Sequence, residues 1–290
     1  MTAGTLATLC VPRPTPAEPA IPTELRGWDS WVLEGHENHR CPWLAPGQPR
    51  DGDRVCAWPA ALELQVDGHG GRFSQRWQID AESWLSLPGS SENWPQNVTL
   101  DGRPATLVAQ GGTPSLRVGA GAHLVSGTFS WARRPEMLSV PASVALVSLS
   151  VDGAHVALQR NGEGVLLGAQ PVARQDNSLD VRVFRMLEDD LPGMLFTRVR
   201  LVVAGEAREI QLPQVLPPGF VPTAVDGELA ARLDPDNTLR VQVRPGEFDL
   251  TLAARGPSPL AEVRLGARPA PWPKSEVWSF RAEDRLRVVA

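Results

Sequence analysis

From Leu62 onward the apolar residues of this chain fall on every second position, and that rhythm restricts the possible folds more than any other property of the sequence. Leu62, Leu64 and Val66 share one parity, the polar turn "DGHGG" follows, and Phe73, Gln75, Trp77 and Ile79 resume on one parity. Side chains along a strand alternate between two faces, so this is the pattern of a hairpin with one buried face. An amphipathic helix would instead bring apolar residues back three and four positions apart, and no long stretch after residue 60 does so. The same grammar of short alternating strands continues, punctuated at Asp101-Gly102, Gly111-Gly112, Asp152-Gly153, Gly162, Gly205, Asp226-Gly227 and Pro245-Gly246. The 26 glycines and 28 prolines are spread as turn residues rather than gathered into one tail, which favours packed sheets over a linker. The expected fold is mostly β, with two or three antiparallel β-sandwich domains in tandem.

Upstream of the strands, "IPTELRGWDSWVLEGHENHR" sets Leu25, Trp28, Trp31, Val32 and Gly35 at helical spacing, with Pro22 suited to a first turn. One short N-terminal helix is expected there, with Trp28 and Trp31 as its buried residues. Residues 1–20 read as a Pro/Ala/Glu tether or the remnant of a leader. Their apolar run is short and lacks a basic n-region, and Leu9 stands before Cys10 where a lipoprotein signal requires a small residue. Composition breaks at "RRPE" (133–136) and "LPQVLPPG" (212–219) suggest domains at 21–135, 136–212 and 213–290. An ungapped shift of 125 residues also lays "LDGRPATLV" (100–108) on "VDGELAARL" (225–233), Val118 on Val243, Gly121 on Gly246, His123 on Phe248 and Val125 on Leu250. Two related three-stranded meanders would produce that match, and shared turn chemistry alone would produce much of it.

Charge and cysteine usage narrow the function classes. A formal charge of -5 argues against a chain built to neutralise phosphates, so no nucleic-acid partner is expected. No apolar run approaches the roughly 18 to 20 residues of a membrane helix, so no membrane span is expected. Cys41 and Cys56 each sit beside a tryptophan and a proline, "CPW" and "CAWP", and bracket a polar loop with little apolar content of its own. A bridge across a loop of about 15 residues stabilises by about 3 kcal/mol in the chain-entropy picture and implies an oxidising compartment. The alternative is a pair of reduced thiols buried as small core residues.

The densest cluster of reactive side chains is "HENHRC". A zincin helix carries its histidines four apart so that both imidazoles face one metal, whereas His36 and His39 are three apart and His69, His123 and His155 stand alone. No metal or cofactor is expected. Nucleophile-elbow, phosphate-loop and dinucleotide patterns are missing, and the acids Glu188, Asp189 and Asp190 before "LPG" read as a solvated turn. The strongest binding candidate is Trp84 in "RWQIDAESWLSLPG". With Trp77, Ile79, Ala81, Leu85 and Leu87 inward, Trp84 falls outward with Arg76, Gln78, Asp80 and Glu82, an exposed indole among polar groups that suits stacking on a sugar. Seven of the ten tryptophans lie between Trp28 and Trp94, so Trp43, Trp58 and Trp94 join the candidate list. Arg182, Arg185, Arg198 and Arg200 form a second set, expected on two adjacent strands in cross-strand pairs with acids such as Asp180 and Glu188.

The segments "IPTELRGWDSWVLEGHENHRCPWL", "RVCAWPAALELQVDGHGGRFSQRWQIDAESWLSLPGSSENWPQNVTLDGRPA" and "PAPWPKSEVWSFRAEDRLRVV" together resemble the N-terminal region of long, uncharacterised bacterial envelope proteins. The resemblance spans nearly the whole chain after residue 20 and implies an exported protein with a leader upstream, a periplasmic or other extracytoplasmic location, and further domains or other envelope components as partners. It supplies no catalytic residues. The expectation is a non-catalytic binding or spacer module. A carbohydrate-binding module using Trp84, or a hydrolase with a facing carboxylate pair, is the alternative.

Overall fold

The computed structural model describes residues 27–28, 31, 34, 37–45, 54–162, 164–168, 176–257, 262–263, 266 and 268–283. The stretch up to Glu37 and the stretch from Asn38 onward form separate compact units. In the first, most of the expected helix lies outside the described residues, as do Cys10 and His36. Trp28 and Trp31 meet edge to face at 5.7 Å and are 55 % and 68 % exposed, so they do not bury a helix face as expected. A 3-10 turn at Glu37–Arg40 leads into Cys41, whose N–H donates to the Asn38 carbonyl at 2.9 Å. Among the described residues, no helix is long and apolar enough to cross a membrane.

The second unit is built from strands, as the alternation predicts. After β1 (Trp43–Ala45) come β2 (Ala57–Val66), β3 (Gly70–Ile79), β4 (Ser83–Ser86), β5 (Gln96–Leu100), β6 (Arg103–Pro104), β7 (Val108–Gln110), β8 (Thr113–Val118), β9 (Gly121–Ser130), β10 (Met137–Ser139), β11 (Val147–Val151), β12 (Ala154–Val156), β13 (Arg160–Asn161) and β14 (Gly164–Leu166). Then follow β15 (Ser178–Glu188), β16 (Met194–Ala204), β17 (Arg208–Leu212), β18 (Val221–Gly227), β19 (Ala231–Leu233), β20 (Leu239–Val243), β21 (Gly246–Arg255) and β22 (Val277–Arg281). The predicted hairpin is β2–β3, and Leu62, Leu64, Val66, Phe73, Gln75, Trp77 and Ile79 are all buried. Its turn is held by the Asp67 carboxylate, which accepts from the N–H groups of His69 and Gly70 at 2.8 and 2.9 Å. Those bonds keep the Asp67 carboxyl below its ordinary pKa.

The buried side chains form two cores, one drawn from 57–167 and one from 181–272 with Ala45. The first is enclosed by a seven-stranded sheet and the three-stranded sheets β4-β8-β7 and β10-β14-β13, the second by a five-stranded and a four-stranded sheet, and the two large sheets share one strand order. The first runs β12-β11-β2-β3-β9-β5-β6 and the second β22-β15-β16-β21-β18. Placing β2 on β15 brings β3 onto β16, β9 onto β21, β5 onto β18 and β11 onto β22. The correspondence includes direction, since β11 pairs with β2 and β22 with β15 in parallel while the other ladders of these sheets are antiparallel. The small sheets β4-β8-β7 and β17-β20-β19 match as well. The faint 125-residue repeat in the sequence therefore lies within a larger repeat of one large and one small sheet, to which the first sandwich adds the sheet β10-β14-β13. Gly121 and Gly246 open β9 and β21 with the same φ of 140°, and a Cβ on either would lie about 3 Å from the side chain two residues on, His123 or Phe248. Glycine at both positions follows from that close approach and from a backbone conformation that L side chains rarely adopt. The match loosens at the other end. Asp101-Gly102 is a tight turn with φ of 52° and 78°, whereas Asp226-Gly227, expected to be a turn, ends strand β18.

The expected divisions at 135/136 and 212/213 cut through these sandwiches. β11 pairs with β2 across the first, and β21 pairs with β16 across the second. "RRPE" is a loop whose Arg134 bridges to Asp152 at 2.8 Å. "LPQVLPPG" lines a core: Leu212, Val215 and Leu216 are buried, and Trp272 donates its indole N–H to the Pro213 carbonyl. Proline here marks a chain crossing between sheets rather than a linker. β1 departs further from expectation, because it pairs with β19 on the second sandwich although the chain then enters the first.

Candidate functional site

β4 sets Trp84 opposite Arg117 of β8, one step from the buried pair Leu85 and Leu116. As the parity predicts, Leu85 and Leu87 point inward and Trp84 is 44 % exposed. Glu82 binds Arg117 at 2.6 Å, so an indole lies beside an exposed ion pair on the outer face of the small sheet. Arg117 was not singled out from the sequence, although its place between the inward Leu116 and Val118 marks it as outward. Arg76 and Gln78 are exposed on β3 of the large sheet. The chain crosses from one sheet to the other after Ile79, so these two residues face the opposite side of the sandwich from Trp84 and are not its neighbours.

Asp80 and Trp58, also candidates from the sequence, belong instead to the contact between the two sandwiches, and Trp43, a further candidate, sits on β1 and packs on the core of the second. Asp80 receives both terminal nitrogens of Arg232, at 2.8 and 3.1 Å. Arg232 Nε donates to Asp234, which also accepts from Arg240 Nε, each at 2.6 Å. Arg240 reaches Glu209 at 3.2 Å, and Glu209 accepts the indole N–H of Trp58 at 3.0 Å. The chain of alternating charges thus leaves the first sandwich at Asp80, passes through the second and returns at Trp58. Its bonds to Asp234 hold the Arg240 guanidinium above its ordinary pKa. Gln242 adds a buried bond to the Pro59 carbonyl at 2.6 Å. Trp58 is therefore a buried junction residue and not a ligand platform. Trp94 is half-buried just before β5.

The expected disulfide lies beside this junction. Cys41 and Cys56 are bonded, with Cα atoms 5.1 Å apart. The bond joins the residues leading into β1, docked on the second sandwich, to the start of β2 in the first. Arg54 fastens the same corner, donating to the His39 and Cys41 carbonyls and resting 4.2 Å over the Trp43 ring. Among the described residues, no three His, Cys, Asp or Glu side chains come together in a metal-holding group. His123 is bound to Asp101 at 2.8 Å, and His155 lies 3.3 Å from the Ser150 hydroxyl.

The arginine set divides by parity. Arg182 pairs with Asp180 at 3.1 Å, and Arg198 and Arg200 share Asp249, whose carboxyl they hold far below the usual range. Arg185, three residues beyond Arg182, must take the opposite face of the strand, and it is buried. It donates to Glu276 at 2.9 Å, to the Thr197 hydroxyl at 2.8 Å and to the Val215 carbonyl at 2.9 Å. Arg268 lies against the same Glu276 carboxylate and 4.0 Å over the Trp272 ring. Desolvation lowers both guanidinium groups to about 10. In the first sandwich the matching cross-strand pair is Leu64 and Phe73, so a buried ionic cluster stands in one copy where the other is apolar. Glu188 bridges to Arg281 at 2.8 Å, and Asp190 accepts from the Leu191 N–H. No protein-family model matches the chain, and no curated protein matches it.

Proposed function

We propose that the chain is an extracytoplasmic spacer and binding module of a larger bacterial envelope protein, not an enzyme. The observation that carries this reading is the fastening of two like sandwiches by the Asp80–Arg232–Asp234–Arg240–Glu209–Trp58 chain and by the Cys41–Cys56 bond. Two sandwiches tied through part-buried ion pairs hold a fixed spacing, which suits a structural element. The carboxylates of Asp80, Asp234, Glu209 and Glu276 are committed to arginine or indole partners, which favours structure over acid–base chemistry at those positions. The disulfide supports an oxidising compartment. Calorimetry tests the spacer role: a single cooperative unfolding transition is expected for the chain. Two separate transitions would mean that the sandwiches are independent beads, and the reading would fail.

Carbohydrate binding is the second reading, favoured by the exposed Trp84 beside the Glu82–Arg117 pair. On this reading Trp84→Ala abolishes binding on a glycan array and leaves stability within about 1 kcal/mol, as expected for a side chain open to solvent. A glycan bound equally well by the variant would remove Trp84 from the site.

A further inference from the structure

The junction between the sandwiches joins a corner of the first to a face of the second, and the repeat gives the chain one further corner and one further face. The corner lies where β2 begins and β3 ends, and it presents the Trp58 indole, the Pro59 carbonyl and the Asp80 carboxylate. The face is the outer side of the small sheet, where Glu209, Gln242 and Arg232 receive those three groups. Strand pairing assigns every one of them a counterpart in the other sandwich. On the face, Trp84 opposite Arg117 matches Glu209 opposite Gln242, and Val108 opposite Ser115 matches Arg232 opposite Arg240. On the corner, Trp58 and Pro59 opposite Gln78 and Trp77 match Asp180 and Val181 opposite Val202 and Leu201. Asp80 matches Ala204, each following the last residue of the paired run, Ile79 or Val203. Both counterparts of the junction are exposed. Trp84 and Val108 are 44 % and 48 % exposed, and the side chains of Arg117 and Asp180 are 60 % and 57 % exposed.

We propose that the corner of the second sandwich docks on the small-sheet face of the first sandwich of another copy, so that the internal junction recurs between molecules. The three contacts carry over as a complementary set. Trp58 donating to Glu209 becomes Trp84 donating to Asp180, with indole and carboxylate exchanged between face and corner. Gln242 donating to the Pro59 carbonyl becomes Arg117 donating to the Val181 carbonyl. The ion pair of Arg232 with Asp80 becomes an apolar contact of Val108 with Ala204. Each group has capacity for its new partner. Arg117 meets Glu82 through one terminal nitrogen and has further N–H groups to give, and Asp180 gives one carboxylate oxygen to Arg182. Asp189 N–H donates to the Arg281 carbonyl at 2.9 Å, so every second residue of β15 back to Val181 turns its carbonyl away from β16. β22 accompanies β15 only from Phe184 onward, short of Val181. The reading also explains why the first small sheet shows solvent an indole and a valine where the second carries ions. The contact is heterologous, so chains add head to tail.

Sedimentation of the full chain from about 1 to 500 µM tests the assembly, a span that covers dissociation constants of the micromolar class. The expected result is a mean mass that rises with concentration past twice the 31.4 kDa of one chain. Trp84→Ala and Asp180→Lys, both at exposed positions, should each raise the dissociation constant at least about tenfold. Mixing the two variants should restore association and stop it at a heterodimer. That mixture holds one intact face, on the Asp180→Lys chain, and one intact corner, on the Trp84→Ala chain. A chain that stays monomeric across the range overturns the proposal, and a glycan bound by the monomer and lost in Trp84→Ala would then give the face to a sugar. Association untouched by either substitution, or a mixture no tighter than the variants alone, overturns it equally.

Discussion

Glu276→Leu is expected to lower the free energy of unfolding by about 3 to 5 kcal/mol, the range for removing one partner of a buried ion pair. Arg185 and Arg268 both lean on this carboxylate, and all three side chains are at most 5 % exposed. Leucine would leave two guanidinium groups enclosed by protein with no counter-charge. The depressed values of about 10 for both arginines show burial already working against their charged forms, and Glu276 is the group that offsets it. Urea titration at neutral pH measures the effect. A loss below about 1 kcal/mol would mean that water reaches the cluster and that its burial is overstated. Substituting Arg185→Leu, Thr197→Phe, Arg268→Leu and Glu276→Leu together should recover much of the loss, because it removes all three buried charges and the first sandwich fills the equivalent strand pair with Leu64 and Phe73.

Removing the Cys41–Cys56 bond by a double change to alanine is expected to cost about 3 kcal/mol from loop closure alone. The measured loss should exceed that figure. The disulfide also holds β1 against β19, and freeing β1 exposes the edge of β19 and the buried Ala45. Reduction of the unaltered protein should reproduce the double variant's unfolding midpoint. Equal stability with and without the bond would show that β1 and Arg54 hold the corner by themselves. Thiol trapping in the cells that make the protein bears on location, since recovery of both cysteines as free thiols would withdraw the support for an oxidising compartment.

The parts of the fold that can be read from the sequence are those set by neighbours along the chain. The buried parity of β2 and β3 follows from Leu62 through Ile79, because a one-residue slip would expose the whole apolar set. The tight turns at Asp101-Gly102 and Asp152-Gly153 follow from residues that tolerate positive φ, and both adopt it. The outward Trp84 follows from Leu85 and Leu87. What could not be read depends on partners distant in sequence. Asp80 reads as one more polar residue beside Trp84 until Arg232 reaches it from 152 positions away. Trp58 reads as a candidate platform until Glu209 takes its N–H. Prolines in "LPQVLPPG" read as a boundary because local chemistry cannot distinguish a linker from a crossover that lines a core. Arg185 follows the strand period but breaks its polarity, and only the approach of Glu276 makes an inward arginine tolerable there. The repeat was visible where strand length and turn are conserved between copies, from β8 to β9, and invisible at β18, where an Asp-Gly pair is used as strand.

The parallel pairing of β15 with β22 has a consequence for how the molecule bears tension. β15 is the first strand of the second sandwich's large sheet and β22 its last described strand, and they run side by side from Phe184 and Val277 to Glu188 and Arg281. A pull toward the amino end of β15 and the carboxyl end of β22 slides the two strands past each other along their length. All the hydrogen bonds of that ladder then carry load together, whereas antiparallel neighbours drawn apart from one end would open bond by bond. Upstream, the Cys41–Cys56 bond passes force from the approach to β1 straight to the start of β2, so the loop between them is spared extension. A chain strung between anchored partners would meet stretching at the orientation in which these strands resist it best.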